Sequence, residues 1–406
     1  MKIALVVPHI FMHQELLPDV IFSPGYLALN LAEKLAEKGH QITLFSPGSV
    51  DQYLSQNKSG AAVNHCADLS LFEAELKQRG YGYIELLKKH PLTFITLARQ
   101  VQSELISRAY HAANQGEFEL VHIWCNEEEL ALTTAQLCRR PVVFNHHEPF
   151  NFLSRYRAIF PKYQHLNWIS FSYAQRKTLG EEANWVGNVY HGLNQNKFKF
   201  SDQPQDYLLY MGRIIKPKGV HYAIAAAKEL RVKLKIAGKH YAGHSKDKYW
   251  QQFVKPELTS GEIEYLGFVK EDQTKQDLLG GAQALLMPST WQEPFGMVMI
   301  EALACGTPVI GFDRGSIPEI VASGKTGWTA SYLPEKKNIK NGREVSKSPS
   351  ELRKDRNFAK NLTALVEAVK KRDQLSRQDC RDEFERRFSL ARMAADYELI
   401  YQQLNS

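Results

Sequence analysis

At 406 residues with 44% hydrophobic side chains, the chain has enough apolar material for two cores, because a single core stops growing at roughly 250–300 residues. Its formal net charge of +7 is uneven: residues 1–198 carry 18 basic and 18 acidic side chains, whereas residues 331–360 alone carry nine basic against four acidic. No broad basic surface for nucleic acid is expected from that distribution. The five cysteines (Cys66, Cys125, Cys138, Cys305, Cys380) are odd in number and include no Cys-x-x-Cys pair, which offers neither a disulfide framework nor a zinc site.

No apolar run reaches the ~18 residues of a membrane span, and Met1–Pro8 enters strand-like sequence at once instead of a leader. A cytoplasmic protein is expected. Ile3–Val7 reads as a strand, Tyr26–Lys38 as a helix through Leu27, Leu31 and Leu35, and Gln41–Phe45 as a second strand, with Gly39 ending the helix. Residues 69–112 read as mostly helix. The strand and helix alternation resumes with Leu120–Trp124, Glu127–Leu137, Pro141–Phe144, Trp168–Phe171 and Trp185–Val189. Gly192–Gln205, poor in apolar residues, reads as a linker. A second series follows: Tyr207–Met211, the helix Val220–Leu230, then strands Lys233–Ala237, Ile263–Leu266, Ala284–Met287 and Val309–Ile310. Such alternation implies two parallel sheets wound by right-handed crossovers. Residues 331–360, rich in Lys, Asn and Ser, read as a mobile surface loop, the alternative being a contact with an anionic lipid surface or acidic acceptor. Residues 361–388 and 389–404 read as terminal helices.

Two stretches carry chemistry. Met211-Gly-Arg-Ile-Ile-Lys-Pro-Lys-Gly219 lies where an apolar strand gives way to a helix, the place where ligands lodge in open α/β sheets. Gly212 allows close backbone approach, and Arg213 with Lys218 offers two fixed cations that suit a diphosphate. Glu293-Pro-Phe-Gly-Met-Val-Met-Ile-Glu301 places two carboxylates across the mouth of a helix expected from about Phe295 to Ala304, stopped by Gly306 and Pro308. The amides of Phe295, Gly296 and Met297 at that helix start suit an anion. Gly25, in Phe-Ser-Pro-Gly-Tyr, opens the first helix, where N–H groups can meet a phosphate. His147 follows a strand in Pro-Val-Val-Phe-Asn-His-His-Glu, and a one-residue slip would present His146 in its place.

The Glu293–Glu301 string with its Ala-Cys-Gly-Thr-Pro-Val turn, together with the Gly-Arg…Lys-Gly loop, resembles the signature of the family-4 retaining glycosyltransferases (glycosyl transferases group 1). That resemblance implies the α/β GT-B fold, two Rossmann-like parallel-sheet domains facing across a cleft. It places an acceptor-binding domain over residues 1–196, with helix 389–406 packing back on it, and a nucleotide-sugar domain over 197–388. It implies transfer of a hexose from a nucleotide diphosphate sugar, UDP favoured and GDP the alternative, with retention of configuration and no metal or other cofactor. In that likeness Arg213 and Lys218 clamp the diphosphate, Glu301 takes the ribose hydroxyls, Glu293 holds the transferred sugar, and His147 lies beside it. The family's Asp after the histidine is Glu148 here, its second glycine beside Gly25 is Pro24, and its Asn-Gly-Ile-Asp is His191-Gly-Leu-Asn194. Acceptor identity stays open among small molecules, glycans and lipids, as do peripheral membrane contact and oligomeric state. Two other classes fit the same fold: a sugar-nucleotide epimerase or isomerase, and a non-catalytic sugar-nucleotide-binding protein.

Overall fold

The protein is described by a computed structural model covering residues 1–20, 22–54, 62–124, 129–240, 247–336, 339–340, 343–344 and 347–406. Cys125 and the first two residues of the expected helix Glu127–Leu137 lie outside the described residues. The chain divides into two compact units, Met1–Gly192 with Leu390–Ser406, and Leu193–Ser389.

In the first unit, strands β1 (Lys2–Val6), β2 (Gln41–Ser46), β3 (Val63–Cys66), β4 (Leu120–Trp124), β5 (Val142–Asn145), β6 (Asn167–Ser170) and β7 (Trp185–Asn188) form one sheet in the order β3-β2-β1-β4-β5-β6-β7. All pairs are parallel. β1 is the hinge of the winding: it pairs with β2 on one side and β4 on the other, and its residues Ile3 to Val6 are buried on both faces. A strand covered twice has no polar side to show, which is why it reads as a near-continuous apolar run. The second unit repeats the plan with β8 (Leu208–Met211), β9 (Leu234–Ala237), β10 (Ile263–Gly267), β11 (Ala284–Met287), β12 (Val309–Phe312) and β13 (Gly327–Ala330), ordered β10-β9-β8-β11-β12-β13. Here the winding reverses between β8 and β11. The loops leaving those two strands therefore flank a crevice at the carboxyl edge of the sheet, where open α/β folds bind ligands.

Residues 69–112 fold as three helices, Ser70–Arg79, Tyr83–Lys89 and Pro91–Asn114. The last helix, Leu390–Asn405, belongs to the first unit and buries Met393, Tyr397, Ile400 and Tyr401. A buried polar chain fixes it there. The Tyr401 hydroxyl lies 2.6 Å from His122 Nδ1, His122 Nε2 lies 2.7 Å from Asn145 Oδ1, and the Tyr397 hydroxyl donates to the same oxygen at 3.1 Å. Burial lowers the His122 pKa to about 3, against a smaller upward pull from the Asn145 bond, so the ring is neutral.

Several elements differ from the sequence expectation. The first helix starts at Ser23, with Pro24 in its first turn where a missing N–H costs nothing. Residues 331–360 are not one loop: Ser348 and Glu351 form a reciprocal capping box for the helix Pro349–Arg353, and Asp355 caps Arg356–Lys370 through the amides of Asn357 and Phe358. The single helix expected over 361–388 is two, because Ser376 caps a fresh start at Arg377–Phe388. The segment read as a linker is held down by two arginines of that helix. Arg377 donates to the carbonyls of Ser201, Gly280 and Ala282, and Arg381 to those of Phe198 and Ala304.

Candidate functional site

The loop after β8 turns through the short helical turn Lys216–Lys218 and ends at Gly219, whose φ of 73° lies in the left-handed region. A Cβ there would stand 1.8 Å from the Pro288 carbonyl oxygen, so only glycine lets this loop and the one after β11 touch backbone to backbone. Further bonds join them, since the Thr290 amide donates to the Pro217 carbonyl at 2.8 Å and the Ser289 hydroxyl at 3.3 Å. Behind Glu293 a second close approach does the same. Gly315 (φ 61°) leaves no room for a Cβ, which would meet the Glu293 backbone nitrogen and oxygen at 2.2 Å. Its neighbour Ser316 donates its amide to the Glu293 carbonyl at 2.8 Å.

Glu293 is thus fixed through its backbone by the Gly315–Ser316 segment, and its side chain is buried at 4% exposure. Its Oε2 accepts three bonds, from Lys218 Nζ at 2.6 Å, the Trp291 indole N–H at 3.0 Å and the Ser289 hydroxyl at 3.3 Å. Among the described residues Oε1 accepts none. Burial by itself would raise the Glu293 pKa, but the Lys218 charge and the three bonds outweigh it and hold the group below the ordinary glutamate value. The carboxylate is ionised, with one oxygen saturated and the other available. Lys218 also lies over the Trp291 ring, 5.0 Å from its centroid. Arg213 is exposed, and the Tyr210 hydroxyl feels both its charge and that of Glu293.

Glu301 has a different cationic partner from Glu293. The helix runs Met297–Ala304, two residues shorter at its start than expected, because Gly296 adopts a φ of 81° and serves as N-cap. Its residues, Met-Val-Met-Ile-Glu-Ala-Leu-Ala, are mostly strong helix formers. It stops where Gly306 and Thr307 donate back to Leu303 and Ala302, a Schellman closure. Inside it Glu301, 8% exposed, is gripped by Lys275 of the helix Asp272–Gly281, Nζ to Oε1 at 2.5 Å, and not by Lys218 or Arg213. The first bond closing the helix runs from the Met299 amide to the Gly296 carbonyl at 2.9 Å. The Met297 amide therefore precedes the internal ladder and is unspent by it. Phe295 is a packing residue, 3% exposed with its ring against Phe388. The Gly212 amide is already given to Ala237 at 2.9 Å, extending the β8–β9 ladder.

The first unit holds the remaining candidates. His146 is fully buried among the rings of Phe150, Tyr156 and Phe160, whereas His147 is the less enclosed residue of the two, although its Nε2 is buried. His147 stacks on Phe171 and His191, 5.7 and 5.4 Å between centroids. Burial first, then the neighbouring imidazoles, press its pKa well below the usual histidine value. Gly25 departs from expectation: it is the third residue of its helix, buried, and its amide already donates to the Phe22 carbonyl at 3.1 Å. A cavity of about 670 Å³ lies between the loop after β1 and the helix Tyr83–Lys89, lined by Glu15, Tyr83, Glu85, Lys88 and Lys89. None of the residues singled out from the sequence lines it. Lys275, Trp291 and Ser289 escaped the sequence reading. The two flanking Glu293 were within reach of it, whereas Lys275 pairs with Glu301 only through the packing of two helices.

Residues 194–361 match the family model described as glycosyl transferases group 1. An uncharacterised glycosyltransferase of Methanocaldococcus jannaschii is 29% identical over 36% of this chain and 41% of its own length. A glycogen synthase of Mycobacterium tuberculosis is 38% identical over 30% of this chain and 29% of its own. The chain thus spans less than half the length of these curated relatives. Solved structures cover nearly the whole chain. Sucrose-phosphate synthase from Thermosynechococcus elongatus superposes with a TM-score of 0.67 at 16% identity, covering 100% of this chain and 99% of that one. HepE from Anabaena, solved with UDP and glucose, gives 0.65 at 14% identity, covering 99% and 100%. At such identities the likeness concerns the fold, which is GT-B.

Proposed function

We propose, from the match of residues 194–361 to the group 1 glycosyl transferases model and the GT-B fold of the chain, that the protein transfers a hexose from a nucleotide diphosphate sugar to an acceptor hydroxyl, with retention and without a metal. The observation that carries this reading is the half-occupied Glu293 carboxylate beside Lys218 at the β8/β11 crevice. Its open oxygen suits a sugar hydroxyl, and the ammonium next to it suits the phosphate to which that sugar is bonded. Breaking the sugar–phosphate bond leaves negative charge on the departing oxygen. Lys218 and Arg213 stabilise that charge more in the transition state than in the ground state, which is where rate is gained.

Glu301 fits the ribose diol by its Oε2, which has no partner among the described residues, while Lys275 keeps Oε1 engaged. The Met297 amide, at the positive end of the helix dipole, suits the negative charge of the diphosphate. UDP-glucose is the donor to try first, supported by its presence in a HepE structure of the same fold. The acceptor falls to the first unit, where the cavity beside Tyr83 offers an aromatic face with carboxylates and ammonium groups. The test is slow hydrolysis of a panel of UDP- and GDP-sugars, followed by candidate acceptors with the best donor. A protein that neither hydrolyses nor is thermally stabilised by any nucleotide sugar would refute the reading.

A further inference from the structure

Lys218 has two tasks that conflict. In the free protein it holds the buried Glu293 carboxylate at 2.6 Å, yet in the proposed reaction its charge is wanted on the diphosphate. A cation drawn toward a doubly charged ligand loosens its grip on its old partner, and a buried carboxylate left with one weak donor takes up a proton. The Ser289 hydroxyl, at 3.3 Å, is that weak donor. The Trp291 indole N–H, at 3.0 Å on the same oxygen, is different in kind. It is neutral, so an arriving phosphate does not pull it away. It is donor-only and cannot be deprotonated near neutral pH. Its ring also lies under the Lys218 ammonium, 5.0 Å from centroid to nitrogen, which gives that ammonium a cation–π seat as it shifts.

We propose that Trp291 is a positioning residue of the donor site, a neutral anchor that keeps Glu293 ionised and its second oxygen presented to the transferred sugar while Lys218 moves to the diphosphate. The proposal rests on the donor reading above and adds a residue that the family likeness did not assign. Ordering of the loop supports it, since Gln292 and Glu293, the two residues that follow Trp291, are pinned by the amides of Gly315 and Ser316.

The test has two arms. With UDP-glucose, or whichever nucleotide sugar the wild type hydrolyses best, Trp291→Phe should keep UDP affinity within about twofold. It should lower kcat for donor hydrolysis by roughly tenfold, as expected for loss of one oriented hydrogen bond to a charged group, and move the acid limb of the pH–rate profile upward. Trp291→His, which restores an N–H, should recover part of that loss. A role in packing alone would leave the acid limb where it was. Without any sugar, a double-mutant cycle of Trp291→Phe and Glu293→Gln by denaturant unfolding at pH 7 should show coupling of at least fivefold in the unfolding constant. Additive effects in the cycle, or an unmoved acid limb with tenfold-reduced UDP affinity, overturn the proposal. Coupling in the cycle with no hydrolysis of any donor by the wild type would sustain the Trp291 anchor and sink the transferase reading instead.

Discussion

Replacing Lys218 by methionine keeps most of the side-chain stem and deletes the ammonium that faces Glu293. The carboxylate, 4% exposed, is then left with the Trp291 and Ser289 donors. Breaking a buried ion pair from one side costs about 3–5 kcal/mol. Two donors remain and the acid can protonate, so the lower end, about 3 kcal/mol at pH 7, is expected. For a unit the size of Leu193–Ser389, ~1 kcal/mol moves the midpoint by ~2–4 °C, giving a loss of ~6–12 °C in the transition of that unit. The pH dependence has a fixed sign. Glu293 has a lowered pKa in the folded protein, so its contribution is present above the unfolded value near ~4.3 and disappears as pH falls through the folded value. The gap between wild type and Lys218→Met should therefore be wider at pH 7 than at about pH 3. Calorimetry at both pH values reads it directly. A gap under ~2 °C at pH 7, or one of equal size at both, would refute the view that this pair is electrostatically engaged.

Four further expectations are open to direct measurement. Glu301→Ala should weaken UDP binding about tenfold by calorimetry, whereas Lys218→Met should mainly lower turnover; equal and negligible effects contradict the roles assigned to them. Gly219→Ala forces a Cβ onto the Pro288 carbonyl and a left-handed φ on alanine at ~1–2 kcal/mol, so thermal stability and donor hydrolysis should fall together. His147→Ala should reduce turnover while UDP affinity holds, read by the split between kcat and Kd. His122 titrates near 3 when folded and near ~6.5 when unfolded. Below pH 6.5 the unfolded state therefore binds the extra proton, and stability should fall by up to ~1.4 kcal/mol per pH unit, a slope that His122→Asn should flatten in urea titrations.

The parts of the fold legible in the sequence are those whose environment leaves one pattern. β1, β8 and β11 are covered on both faces, and an apolar run is their only solution. β3 (Val63–Cys66) sits at the sheet edge with alternating exposure, and Gly327–Ala330 mixes glycine with threonine, so neither announces itself. The breaks at Ser348, Asp355 and Ser376 were written as caps, Ser-Pro-Ser-Glu above all, but high charge masked the helices behind them. In the site, the loop residues were legible because strand ends and glycines mark them. The partner of Glu301 was not, since Lys275 reaches it only once two helices lie side by side. His146 and His147 are adjacent in sequence, and nothing short of packing against Phe150, Tyr156 and Phe160 tells them apart.

The sharing of the last helix with the first unit has a consequence for how the chain is made. Residues 390–406 leave the ribosome after the whole of Leu193–Ser389, yet they supply Tyr397 and Tyr401 to the His122–Asn145 pair. Until translation reaches them, the earlier-born half must wait with an imidazole and a carboxamide uncovered, while the later-born half can already close. Birth order and completion order are thus reversed, and the half made first is the last to be sealed.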